Sequence, residues 1–188
     1  SASIEFTSML AQELVDAVIS NDDGEQLAAV LGSIDRFSPS TSRMLLLAAD
    51  DALRRRGSSL SNSLETVAKK SPRAHLAIEK LFDNALDQFC KESAEETDRI
   101  AAARLLQLDS RPALAQHLLE LLKQNASPVI KAAAIASMRS QSSAEVANDL
   151  LALFPRQLPT VRRATLDLLT SRPDWTSQLL HAVAIEQI

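Results

Sequence analysis

The sequence is poor in several residue types, and each shortage excludes a class of structure. It has no tyrosine, one tryptophan and three glycines among 188 residues, and aromatic residues make up 3%. Strands favour aromatic and β-branched side chains, whereas the apolar residues here are mostly alanine and leucine, which favour helices. Because 46% of the residues are hydrophobic, the chain can bury a core. The composition therefore predicts an all-α globular protein.

Cysteine and histidine are also scarce, which limits the metal sites and catalytic groups that the chain can form. Cys90 is the only cysteine, so an internal disulfide and a paired-cysteine metal site are both excluded. The histidines His75, His117 and His181 have none of the spacings of a helical zinc site. No glycine-rich phosphate loop and no G-x-S-x-G motif occurs. We therefore predict no catalytic residue, no metal and no cofactor in this chain, and we expect Cys90 to be buried rather than nucleophilic.

Neither charge nor hydropathy indicates a nucleic acid or a membrane as a partner. The net charge is −4 with both signs spread along the chain, which does not attract phosphate backbones or anionic lipid. No apolar run reaches the roughly 20 residues of a membrane span, and the N-terminus lacks a signal-peptide pattern. We expect a soluble chain that does not insert into a membrane. The opening "SAS" is typical of a cloning remnant, so we expect a fragment of a longer protein.

The apolar residues recur three and four positions apart, which is the helical period. Ser71 before Pro72 and Ser127 before Pro128 mark helix starts; Ser93 with Glu96, and Ser142 with Glu145, have the spacing of capping boxes. No strand is predicted. The pattern predicts about eleven helices, at residues 4–19, 24–37, 41–56, 61–70, 72–91, 94–108, 112–124, 128–139, 143–154, 159–170 and 174–186.

From residue 94 onward the predicted helices form pairs, and the second helices align at offsets of 31 or 32 residues. Each carries a cation near its start, a small residue where helices are expected to cross, and a large apolar residue near its end. This pattern predicts a HEAT- or armadillo-like α-solenoid. The aligned columns are Asp98, Ile130 and Val161; Arg99, Lys131 and Arg162; Ala101, Ala133 and Ala164; and Leu106, Met138 and Leu169.

The repeat divides the chain into two predicted regions. Residues 71–188 form the HEAT-like repeats and end in a capping helix that begins after Asp174. Residues 1–70 are either divergent first helices of the same stack or a small helical subdomain. Trp175, at the start of the last helix, has two interpretations, a recognition residue or a plug that covers Leu168, Leu169 and Leu179. Because terminal repeats close a solenoid core, we predict the plug.

Two groups of cations form the candidate interaction surface. Arg54, Arg55 and Arg56 either bind a carboxylate or phosphate, or complement a helix C-terminus that Gly57 caps in the left-handed conformation. The second group, Arg99, Lys131 and Arg162, would line up as a ridge if the repeats stack in register. Such a ridge either binds a ligand or stabilises the repeats by bonding to loop carboxylates and carbonyls.

Three stretches carry a family resemblance: "ALRRRGSSLSNSL" at 52–64, "DRIAAARLL" at 98–106 and "LPTVRRATLDLLTSRPDWTSQLLHAVAIEQI" at 158–188. Together they resemble the helical-repeat region of the large membrane-bound dehydrogenases of planctomycetes and related bacteria. Proteins of that family combine an N-terminal β-propeller of the sugar or sorbosone dehydrogenase kind, a HEAT-like domain and a C-terminal cytochrome c module. The resemblance covers most of residues 45–188.

The resemblance implies a location and a role, but no active-site residue. It implies an extracytoplasmic scaffold or interaction domain between a dehydrogenase domain and a cytochrome, with flanking domains of the polypeptide or another protein as partners. Haem c would belong to a neighbouring module, because C-x-x-C-H is absent here. The arginine run is the one candidate for a contribution to a parent active site. The alternative function is a HEAT-like nucleic-acid-binding module, which needs a basic surface and stacking aromatics.

Overall fold

The computed structural model describes residue 13 and residues 24–55, 57, 58 and 60–188. Within these residues the chain is helical and contains no strand, so the predicted all-α class is confirmed. The predicted helix at 4–19 lies outside the described residues apart from Glu13. Ten helices follow: α1 (Gly24–Leu31), α2 (Pro39–Arg55), α3 (Ser61–Lys70), α4 (Pro72–Cys90), α5 (Glu96–Leu106), α6 (Pro112–Lys123), α7 (Pro128–Ser137), α8 (Ala144–Leu153), α9 (Pro159–Leu169) and α10 (Pro173–Ala184).

Proline sets most of the helix starts. Six of the seven prolines are the first residue of a helix, and the seventh, Pro155, lies in the 3₁₀ turn Phe154–Arg156. Proline suits this position because its fixed φ is helical and because the first N–H groups of a helix have no intrahelical partner. The helix boundaries are therefore close to those that the sequence predicts.

Three predicted caps are wrong. The last helix begins at Pro173, so Asp174 lies in its first turn rather than at its N-cap. The N-cap of α8 is Ser143 instead of Ser142, and α5 starts after Glu95, not after Ser93. Ser142 and Ser143 have the same capping chemistry, so spacing alone cannot separate them. The N-caps of α5 and α10 are Glu95 and Arg172, whose side chains make no capping hydrogen bond. The cap at Ser127 is confirmed, since its hydroxyl accepts a hydrogen bond from the Ile130 amide at 3.2 Å.

The described chain divides into two compact units, Ser1–Ala85 and Leu86–Ile188, with the boundary inside α4. In the first unit α1 packs against α2 and α3. Two buried or half-buried serines tie its loops together: Ser42 Oγ donates to the Ile34 carbonyl, and Ser71 Oγ donates to the Gly32 carbonyl, both at 3.1 Å. The core of this unit includes Leu27, Leu31, Ile34, Leu45, Leu46, Ala49, Val67, Ala74, Ile78 and Phe82.

The second unit consists of two layers of helices. One, which we name the odd layer, contains α5, α7 and α9, and each of these helices packs on the next. The other, the even layer, contains α6, α8 and α10, which also pack in chain order. Ser127 Oγ donates to Glu96 Oε2 at 2.5 Å, and Ser137 Oγ donates to the Ala103 carbonyl at 3.0 Å. Both hydrogen bonds join α7 to α5.

The aligned columns of the odd layer are partly as predicted. The large apolar column, Leu106, Met138 and Leu169, is fully buried. The column of small residues was predicted one residue too early in each helix. Ala101 is exposed, and Ala133 and Ala164 are only half-buried. The buried small column is the next one along, Ala102, Ala134 and Thr165, at 4%, 0% and 1% exposure. Runs such as "AAAR" and "AAAIA" let several registers satisfy the helical period.

Trp175 belongs to the core of the second unit. It is 1% exposed, and the predicted neighbours Leu168, Leu169 and Leu179 are buried as well. The Arg172 guanidinium lies 5.1 Å from the centre of the indole ring. A buried ring cannot present a recognition face, so the prediction of a core position is confirmed.

None of the helices in the described residues combines the length and the apolar character that crossing a membrane requires.

Candidate interaction surface

The three cations of the ridge, Arg99, Lys131 and Arg162, form hydrogen bonds with backbone carbonyls of the same unit. Each occupies the fourth position of an odd-layer helix, and each donates to a backbone carbonyl at the end of the preceding helix. The last carbonyls of a helix have no intrahelical donor, so a side-chain cation there satisfies them. The three bonds are Arg99 Nε to the Phe89 carbonyl at 2.7 Å, Lys131 Nζ to the Leu122 carbonyl at 2.9 Å and Arg162 Nε to the Phe154 carbonyl at 3.1 Å.

Aromatic rings reinforce two of these positions. The guanidinium of Arg99 lies 6.0 Å from the Phe89 ring centre, and that of Arg162 lies 5.5 Å from the Phe154 ring centre. Cation–π contacts at this distance are favourable. Arg162 Nη2 also donates to the Pro155 carbonyl at 2.6 Å. These contacts give each cation of the ridge a structural role. Ligand binding by the ridge stays a hypothesis.

The arginine run lies at the end of α2, in the first unit. Arg54 Nε pairs with Asp50 Oδ2 at 2.5 Å one turn earlier, Arg55 is exposed, and Arg56 lies outside the described residues. Gly57 has a φ of 72°, and its amide and that of Ser58 donate to carbonyls of the last turn of α2. The predicted left-handed glycine cap is confirmed. The run and the ridge belong to different units.

The three histidines lie on three different helices, α4, α6 and α10. His75 Nε2 lies 3.6 Å from Glu79 Oε1, His117 Nδ1 lies 2.7 Å from the Ala113 carbonyl, and His181 is exposed. In the part of the chain that the structure describes, no three His, Cys, Asp or Glu side chains are placed to hold a metal ion.

Cys90 is exposed, which corrects the prediction of a buried thiol. It is the last residue of α4, where the helix end leaves one side of the side chain in solvent. Partial burial nevertheless raises its pKa; Arg99 opposes this shift and Asp87 adds to it. Because the thiolate is the nucleophilic form, a raised pKa makes Cys90 less reactive than a free thiol.

A groove of about 780 Å³ runs between α6 and α8. We name it the even-layer groove, and its lining includes Cys90, His117, Glu120, Lys123, Asp149 and Leu153. Lys123 Nζ lies 2.7 Å from Glu120 Oε1, and the Lys123 pKa is raised by its hydrogen bond to Glu120, with Asp149 adding to the shift. The groove is open, and its lining combines charges of both signs with apolar side chains. Sequence reasoning missed it because a groove depends on the separation of two helices.

A smaller groove of about 350 Å³ lies between α8 and α10. Its lining includes the polar residues Asn148, Asp174, Ser177, Gln178 and His181 beside Leu151 and Ala182. Gln178 Oε1 is inaccessible to solvent and accepts no hydrogen bond from the described residues.

A buried polar network connects successive loops of the second unit, and sequence reasoning missed it as well. Asp109 is 1% exposed, and its carboxylate accepts two parallel hydrogen bonds from the Arg111 guanidinium, Nε to Oδ1 and Nη2 to Oδ2, both at 2.9 Å. Its carbonyl accepts from Ser140 Oγ at 2.6 Å and from Gln141 Nε2 at 2.9 Å. One loop further along, Arg172 Nη2 donates to the Arg139 carbonyl at 2.5 Å. The polar groups of these loops therefore link successive loops of the second unit to one another.

Comparison with protein-family models, curated proteins and solved structures finds no match to this chain.

Proposed function

We propose that the chain is a HEAT- or armadillo-like α-solenoid that serves as a non-catalytic scaffold or protein-interaction domain. The observation that carries the proposal is the packing order of the second unit. Each odd-layer helix packs on the next odd-layer helix, and each even-layer helix on the next even-layer helix. Helix pairs that contact only their neighbours in sequence are the defining property of solenoids.

The repeated hydrogen bonds support the same proposal. A cation at the fourth position of α5, α7 and α9 bonds to the carbonyl end of the preceding helix in all three cases. A single irregular core gives no reason for one bond to recur at a spacing of 31 or 32 residues. A stack of equivalent units does, since each junction has the same unsatisfied carbonyls.

The even-layer groove is the surface that best fits a protein partner. It combines the cation Lys123 with the anions Glu120 and Asp149 on an open face. Interfaces of mixed charge gain orientation and specificity from such groups more than they gain affinity. Scaffolding would then be geometric, because a rigid stack fixes the distance between whatever is bound or attached to it.

The wider context is part of the proposal and rests on the family resemblance alone. In the larger protein that the resemblance implies, this domain would lie between a propeller-type dehydrogenase domain and a cytochrome c module on the extracytoplasmic side. Haem and the oxidation site would belong to those neighbours, and this chain would supply only spacing. The chain by itself is expected to bind no haem and to show no aldose dehydrogenase activity with a dye acceptor; activity above the blank would contradict a non-catalytic role.

Deletion of one complete repeat tests the solenoid directly. Removing residues 127–157 takes out α7 and α8 with their turns and joins Ala126 to Leu158, so that α9 can pack on α5 as α7 did. A solenoid tolerates the loss of a whole unit because every remaining helix finds an equivalent neighbour. The shortened chain should keep helical circular dichroism and unfold cooperatively in urea.

The matched control removes half a repeat. Deleting residues 142–157 takes out α8 alone and joins Gln141 to Leu158, which places two odd-layer helices in succession. This variant should lose cooperative unfolding although it retains more of the chain. If the two deletions behave alike, or if the complete-repeat deletion is the more damaging, the solenoid proposal is wrong.

A further inference from the structure

We draw no further inference here: the strongest candidate, the apolar surface that Leu166, Leu180 and Val183 expose on α9 and α10, carries none because nothing in the structure shows what covers it.

Discussion

The odd and even layers of the second unit bury side chains of different size between their helices. The odd layer uses Ala102, Ala134 and Thr165 in the column that is buried between its helices. At the same seventh position of each helix the even layer has Leu118, Leu150 and Leu179, which are also buried, and both grooves lie between its helices. Small residues let backbones approach, whereas large ones hold helices apart. We therefore expect the helices to pack closely in the odd layer, whereas the accessible grooves lie in the even layer.

The largest effect is expected in the even layer, at Trp175. Replacing Trp175 by alanine removes the largest buried side chain, and such a cavity lowers the free energy of unfolding by about 3–5 kcal/mol. Urea unfolding followed by circular dichroism measures the change. Leu180→Ala, five residues along the same helix but exposed, is the control and should stay within about 0.5 kcal/mol of the parent. Equal losses at the two positions would show that Trp175 is not part of the core.

A smaller effect is expected at the junction between the layers. Arg162→Ala removes two hydrogen bonds to carbonyls and a contact with the Phe154 ring. Since the freed carbonyls can regain water, we expect a loss of about 1–2 kcal/mol in the free energy of unfolding. Arg163→Ala removes the adjacent, exposed arginine and should cost less than half of this. The reverse order would contradict the structural role of the ridge.

The smallest effect concerns reactivity rather than stability. Because partial burial raises the pKa of Cys90, less thiolate is present at any given pH than in the unfolded chain. The rate of alkylation by iodoacetamide should therefore rise with pH along a curve displaced to higher pH relative to the protein in urea. Asp87→Asn removes a charge that raises this pKa and should move the curve back towards lower pH. A folded-state curve that coincides with the unfolded one would show that partial burial does not raise the pKa of Cys90.

The two layers also differ in how far the sequence predicts them. The helix starts follow from proline, and the buried column of Leu106, Met138 and Leu169 follows from the helical period. The small column was misplaced because consecutive alanines satisfy that period at several registers. The even-layer groove was missed altogether, since it depends on the separation of α6 and α8. Cys90 was misjudged because cysteine is usually buried, and its place at a helix end outweighs that tendency.

The central claim is that α5, α7 and α9 form one layer that is closely packed through its small residues. The most direct test is the difference in the free energy of unfolding between Ala134→Leu and Ala101→Leu, measured in urea. The same atoms are added on neighbouring helices of one layer, at a fully buried position and at an exposed one. We predict that Ala134→Leu loses about 1–3 kcal/mol through overpacking while Ala101→Leu is nearly neutral. Equal values, or a larger loss for Ala101→Leu, would contradict this arrangement of the layer.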